Sequence, residues 1–557
     1  MASERNRWRR TQVGIPVFLA AMAVLLFGAF WLVDCFWLRP HDGVPADPIT
    51  RLFQFDSDTL QNALGSLAQI IAAVLGIAIT VVSIVVQLAA TRYTSRVADL
   101  FFRDRTNLAV MGFFVVTCID AVWVSLVVER NDVPRATVIA TVAIVSISLL
   151  MLIPYFAYVF DFLDPEKIIA RIGQQTLQQA LKPGRGAAGR IAPRQRLVVA
   201  SMEQLTDIAV NAVSQKDKVI ASDAVAALRR EIVEYLPRKH TLPPAWFEIG
   251  PAIRDNPDFV ALAAESVTDL AVKRSWLEWK GLRQLRTVYG EGLQTLPEMA
   301  HVVAIEVRYI GEAALGISDG PVLGLAIKFM NTFLRATLNA RDVRTAYNVL
   351  NQYRQLAESV LLASNKRDGG DDVKADAMNT RVLEIGRHMK YYARLAHSMG
   401  LGFVAETAAY DLATLCELAN KQSAPSHDSL LTELLNIDKE AETNAQEKSL
   451  RGVRKAQIKL ATDYLVRGRV EFARRIFEDL LLESLERLRS IRDEMLAVTS
   501  KEFWEVTDRG TNFDYLDDDR KAKLGEFFAW FSDLDGRPHS VTATAVVSES
   551  GPVGGNV

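Results

Sequence analysis

Residues 64–90 read LGSLAQIIAAVLGIAITVVSIVVQLAA, a run without one charged side chain. At about 1.5 Å per residue it exceeds a hydrocarbon core of roughly 30 Å, so it predicts a membrane-spanning helix. Its polar residues are not scattered. At about 100° per residue, Gly76, Thr80, Ser83 and Gln87 fall within roughly 40° of Gln69, with isoleucine, leucine and valine on the remaining circumference. Two amides on one stripe leave expensive unsatisfied groups if they face lipid, so this face is expected either to be buried against protein or to line water. Ala68, Ala72, Gly76 and Thr80 also form a row of small residues suited to close helix contact, and packing and pore lining both remain open readings.

Three further runs are long and apolar enough to span: 13–33, 108–128 and 136–160. The first follows Arg5, Arg7, Arg9 and Arg10, but it exceeds the apolar core of a signal peptide. Bulky Trp31, Phe36 and Trp37 stand where a small-residue cleavage site belongs, so it is read as a span. Arginine fixes the direction. The basic N-terminus 1–12 and the loop with Arg92, Arg96, Arg103 and Arg105 belong in the cytoplasm, where those loop arginines are expected to contact lipid phosphates. Residues 38–63 hold Asp42, Asp47, Asp56 and Asp58 and face outward with the short loop 129–135. Four spans therefore return both termini to the cytoplasm.

The chain has 557 residues with 64 Lys plus Arg against 66 Asp plus Glu, so no excess of base points to nucleic acid. Mean hydropathy is +0.10, high for 23% charged residues, because the apolar content is concentrated in 13–163. Beyond Pro165 charges recur every few residues and apolar positions follow a helical period. Asp164 and Pro165 are expected to cap and open an amphipathic helix ended by Lys182, Pro183 and Gly184. It belongs to a connecting segment, 164–193, whose GRGAAGR stretch (184–190) serves as a flexible joint. The region 194–533 shows helical windows and no strand alternation, and 534–557 reads as a disordered tail. Two windows look like helical hairpins closed on small residues, one turning at Gly468 and one at Gly400 and Gly402. The expected fold is thus all-α: a four-span transmembrane domain followed by a large cytoplasmic, helical-repeat-like domain.

The stretch VVSIVVQLAATRYTSRVADLFFRDRTNLAVMGFF (81–114) resembles the bacterial membrane-protein family catalogued as domain of unknown function 2254. Gln87, Ser95, Arg96, Phe102, Arg103 and Asp104 fill the places of its motif, a Gln-containing span end, a Ser-Pro-Arg-like turn and a Phe-Leu-Arg-Asp-like helix. YFAYVFDFLDPEKIIARI (155–172) and QLTDIAVNAVS (204–214) extend the likeness over roughly 60–215, while the turn lacks the family's proline and span three carries Cys118 and Asp120. The resemblance implies a multi-pass protein of the bacterial inner membrane and no assigned activity.

Asp120 is the ionisable side chain near the middle of an expected span. It reads either as an ion or proton site or as a neutral acid hydrogen-bonded to Gln69 or Thr117. Asp161, Asp164 and Glu166 gather where the last span leaves the membrane, either as a cation-attracting mouth or as acids favouring the next helix dipole. The acids of KRDGGDD (366–372) do not match the spacing of a calcium-binding EF-hand. Cys35, Cys118 and Cys416 are far apart and the seven histidines are scattered, so no disulfide framework, metal site or cofactor is expected. A phosphate-cradling glycine loop, a nucleophile elbow and an HExxH pair are all lacking, and an enzyme is not expected. Two functions compete. One is a homo-oligomeric channel or channel-like transport protein with a cytoplasmic helical vestibule or gate. The other is a membrane-anchored helical-repeat scaffold for a cytoplasmic protein partner.

Overall fold

The computed structural model describes residues 57–92, 98, 101–127, 135–182, 191–364, 372–437 and 450–531, together with positions 21, 22, 24, 25, 28 and 29. Among the described residues every regular element is a helix. The expected first span lies outside them apart from those six positions, which are helical. The N-terminal segment, the 184–190 joint, nearly all of the 366–372 loop and the C-terminal tail also fall outside them.

Helices α1 (Ser57–Arg92), α2 (Arg105–Val127) and α3 (Arg135–Phe162) correspond to the second, third and fourth expected spans. Among the described residues, three stretches are long and apolar enough to cross a membrane: Asp58–Ala90, Arg105–Val127 and Ala136–Phe162. They run alternately up and down. Leu60 and Leu64, early in α1, cluster with Val124 near the end of α2 and Val138 near the start of α3. One level further in, Ala68 and Ile71 meet Ala121 and Val145. The small alanines let backbones approach, which supplies the dispersion contact that holds helices together where no hydrophobic effect operates between them.

Leu163 and Asp164 interrupt the helical path, and Pro165 opens α4 (Pro165–Leu181) with Asp164 as its N-cap. The Asp164 carboxylate accepts from the Glu166 backbone N–H at 3.1 Å, as the Asp-Pro pair predicts. Ile168, Ile169, Ile172, Thr176 and Ala180 of α4 are buried at helical spacing, and the helix packs on α5 (Ile191–Ser214) and α6 (Lys218–Tyr235). Helices α7 (Ala264–Val272) and α8 (Trp276–Thr295) follow. Trp246 packs against Trp276, the first residue of α8, with ring centroids 5.3 Å apart and planes tilted by 56°, and the Trp276 Nε1–H donates to the Trp246 carbonyl at 2.9 Å. Lys280 on α8 is fully buried. Its ammonium donates to Glu203 Oε1 at 2.8 Å, Asp258 Oδ2 at 2.5 Å and Asn256 Oδ1 at 3.1 Å. The Gln284 amide also donates to Asp258, so the buried charge is compensated and its donors are satisfied.

The described chain divides into two compact units between Glu306 and Val307, within α9 (Pro297–Gly316). The second unit contains α10 (Gly320–Asn339), α11 (Val343–Ser364), α12 (Asp372–Ser398), α13 (Gly402–Lys421), α14 (His427–Leu435), α15 (Arg451–Val466), α16 (Val470–Leu480), α17 (Leu485–Ala497) and α18 (Asp518–Phe528). Its centre is α13, which packs against α11, α12 and α15. Both expected hairpins form, α12 to α13 through Gly400 and α15 to α16 through Gly468, with φ +75° and +71°. The same left-handed turn also ends helices at Lys216, Arg274, Ser318, Arg341 and Ser423. Each is sealed by the bond pattern seen at Gly468, where its N–H reaches the Leu465 carbonyl and the Arg469 N–H reaches Tyr464.

Candidate functional site

The buried face of α1 consists of Leu60, Leu64, Ala68, Ile71, Ala78, Val82, Val86 and Ala89, spaced to contact α2 and α3. The polar stripe lies on the other side. Gly76 stands about 160° around the helix from Ala78. Gln69, Gly76, Thr80 and Gln87 are exposed in the chain and Ser83 is half-buried. A Cβ added at Gly76 would meet nothing within 4 Å. Thr80 returns its hydroxyl to the Gly76 carbonyl at 2.9 Å and is satisfied within its own helix. The stripe residues therefore stay together, on the face that the bundle of α1, α2 and α3 does not use.

Asp120 is placed differently. It is half-buried on α2, and the Thr141 hydroxyl of α3 donates to its Oδ2 at 2.8 Å. Neither partner expected from the sequence supplies that bond. The Thr117 hydroxyl meets Ser148 Oγ at 2.9 Å and the Phe113 carbonyl at 2.9 Å. Asp120 and Thr117 thus make two separate polar rungs between α2 and α3.

At the other end of the bundle a polar latch forms that the sequence reading did not single out. Asp104 caps α2, accepting from the backbone N–H of Thr106 at 2.9 Å and of Asn107 at 3.4 Å. Tyr158 of α3 donates to the same carboxylate oxygen at 2.5 Å, and Tyr155, one turn earlier, donates to Asn107 Oδ1 at 2.8 Å. Burial pushes the Asp104 carboxyl up, but the bonds from Tyr158, Thr106 and Asn107 outweigh it and hold the group below the usual carboxylate range. Phe101 packs edge-on against Phe162 at 5.3 Å, and the Arg171 guanidinium of α4 lies 4.1 Å from the Phe162 ring centroid. The sequence signal was Asp104 ahead of an apolar run, with Tyr155 and Tyr158 three apart on one face of α3.

Of the acids at the membrane exit, Asp164 caps α4 and Asp161 pairs with Lys167, whose Nζ also lies 3.7 Å from Asp164. Glu166 is exposed in the first turn of α4. Of the three, Asp164 is the one that bonds the helix start. Arg103 and Arg105 are exposed beside the latch, Arg92 is the last residue of α1, and Arg96 lies outside the described residues. Among the described residues, no group of His, Cys, Asp and Glu is arranged to hold a metal.

No curated protein matches the chain. Among solved structures, one titled "Circular tandem repeat protein with novel repeat topology and enhanced subunit contact surfaces" aligns at 14% identity over 79% of this chain and 98% of that one, with a TM-score of 0.29. A likeness that weak carries no argument. Residues 9–200, from the N-terminal arginines through the start of α5, match the model of the family described as Predicted membrane protein (DUF2254), the family whose motif the segment from Gln87 to Asp104 resembles.

Proposed function

We propose that the chain is an oligomeric channel or channel-like transport protein of the bacterial inner membrane, in which copies associate through the polar face of α1. The supporting observation is that Gln69, Gly76, Thr80 and Gln87 lie opposite the face on which α1 packs against α2 and α3. An unsatisfied amide in hydrocarbon costs several kcal/mol, so Gln69 and Gln87 call for another polar surface or for water. A ring of copies supplies both, with Gly76 allowing close approach and Thr80 and Ser83 facing the enclosed path. In this reading Asp120 and Thr141 brace each copy. The arginines near Arg103 sit at the cytoplasmic leaflet, and both termini and the helices beyond α4 lie in the cytoplasm as a vestibule or gate. The protein works by passage and not by covalent chemistry.

Particle mass in detergent, followed by ion flux in proteoliposomes, tests this. Thr80→Leu or Ser83→Leu is expected to lower flux with assembly intact, because an apolar constriction dries a narrow path. Gly76→Leu is expected to break the association. Wild-type flux no greater than that of protein-free liposomes would favour the scaffold reading instead, in which the spans hold a helical surface for a cytoplasmic partner.

A further inference from the structure

The second unit contains a cleft of about 710 Å³ between α11, α13, α15 and the segment 501–520. It lies within the range of small-molecule sites. Its arginines are already engaged. Arg509 grips Asp411 with two nitrogens, at 2.6 and 3.1 Å, and donates to the Tyr347 carbonyl at 2.5 Å. Arg520 forks onto Glu417 at 3.0 and 2.9 Å and reaches Asp463 at 2.9 Å. These pairs build rigid walls.

Lys459 differs. Its ammonium donates to the Phe513 carbonyl at 2.7 Å, and among the described residues it forms no ion pair. Lys455, one turn earlier on the same helix, has two carboxylates, Asp514 at 2.7 Å and Glu494 at 3.1 Å. A half-buried ammonium with one neutral acceptor, and the Tyr410 ring centroid 5.9 Å away, has two N–H donors to spare and a charge with no carboxylate in direct contact, which leaves room for one anionic group. Burial pushes Lys459 down to about 8 despite the pull of Glu417, Asp514 and Asp517, none of which stands at ion-pair distance from its ammonium among the described residues. Around it, Asn351, Gln355, Thr414 and Thr511 line the cleft with amides and hydroxyls. Phe513, stacked on Tyr410 at 4.8 Å, and Tyr515 give it aromatic walls.

We propose that this cleft binds a phosphorylated small molecule of about mononucleotide size, with the phosphate at Lys459 and the body of the ligand toward Phe513 and Tyr515. A single ammonium among neutral donors suits a tetrahedral oxyanion with several acceptor oxygens, and lysine serves such groups as a point charge. The inference stands independently of whether the membrane helices conduct.

Reductive labelling by pyridoxal, an aldehyde without a phosphate of its own, tests this on the full chain in detergent. Its aldehyde condenses with a neutral lysine amine, losing water, and borohydride hydride then fixes the product for peptide mass spectrometry. At pH 7.5 Lys459 is expected to label at least about tenfold faster than exposed Lys421, since a lower pKa leaves more amine neutral. Inorganic phosphate and AMP should each slow the labelling, while citrate should not. Lys459→Arg, folded by circular dichroism, should retain binding of AMP by calorimetry, and Lys459→Met should lose it. Labelling of Lys459 unchanged by inorganic phosphate and AMP, or protection by citrate alone, would overturn the proposal.

Discussion

The Thr141 hydroxyl of α3 donates to Oδ2 of Asp120 on α2 across 2.8 Å, so the acid inside the bundle is braced by the third described membrane helix and not by Gln69 of the first. This bond gives Asp120 a structural duty that any ionic role would have to share.

Thr141→Val should therefore destabilise the bundle, and Asp120→Leu should lose less in the Thr141→Val background than alone. A double-mutant cycle on unfolding in mixed micelles should return a coupling of about 0.5–2 kcal/mol. Zero coupling would mean that the bond has no energetic weight.

The latch makes a second expectation. Asn107 is buried, and Tyr155→Phe removes the donor to its Oδ1 without removing the ring. The change should cost about 1–3 kcal/mol, the penalty of leaving a buried acceptor unpaired. Tyr158→Phe should raise the Asp104 pKa, so the stability Asp104 provides, present above the ordinary carboxylate pKa and lost as pH falls through its folded value, should fail at a higher pH. Thermal melts of the two variants between pH 3 and 7 separate these effects.

Glu231 on α6 is buried, and neither of its carboxylate oxygens has a hydrogen-bond partner among the described residues. Burial raises its pKa well above the ordinary value, against weaker pulls from Thr176 and Arg230. A raised folded pKa favours the protonated form. The contribution to stability is full below the unfolded pKa and declines as pH rises toward the folded one. Glu231→Gln should flatten the decline in Tm between pH 5 and pH 8. An unchanged slope would assign the decline to other groups.

The orientation proposed from the arginine asymmetry can be checked by labelling. In a background without Cys35, Cys118 and Cys416, a cysteine placed in 129–135 should react with an impermeant thiol reagent applied from outside, and one replacing Arg103 should not. The reverse pattern would invert the topology.

How far the sequence could be read depended on how local the physics was. Leu64–Ala90 announces a span by length and composition, and the structure extends it to Ser57–Arg92 because flanking polar residues continue a helix at no cost in water. Asp164 and Pro165 were legible because a cap is decided within four residues. The stripe was legible as a face, but which side of α1 it occupied was not, since that depends on α2 and α3. Asp120 found Thr141 instead of Thr117 for the same reason: the partner lies on another helix. The repeated turns escaped a search for a fixed period because Lys216, Arg274, Ser318, Arg341 and Ser423 take the left-handed conformation that glycine would have advertised. The cleft at Lys459 escaped because its walls come from four separate segments spread over about 170 residues, from Asn351 to Arg520, brought together only by folding.

The buried Lys280 also constrains descent. Its ammonium answers to Glu203 on α5 and to Asp258 before α7, so an apolar substitution at 280 alone strands acids, and loss of either acid leaves a cation short of compensation. Each such half-step costs about 3–5 kcal/mol, whereas exchanging the whole set for apolar side chains is close to neutral. Lineages of this protein should therefore keep or surrender positions 203, 258 and 280 as a unit, and those three columns should change together in homologous chains.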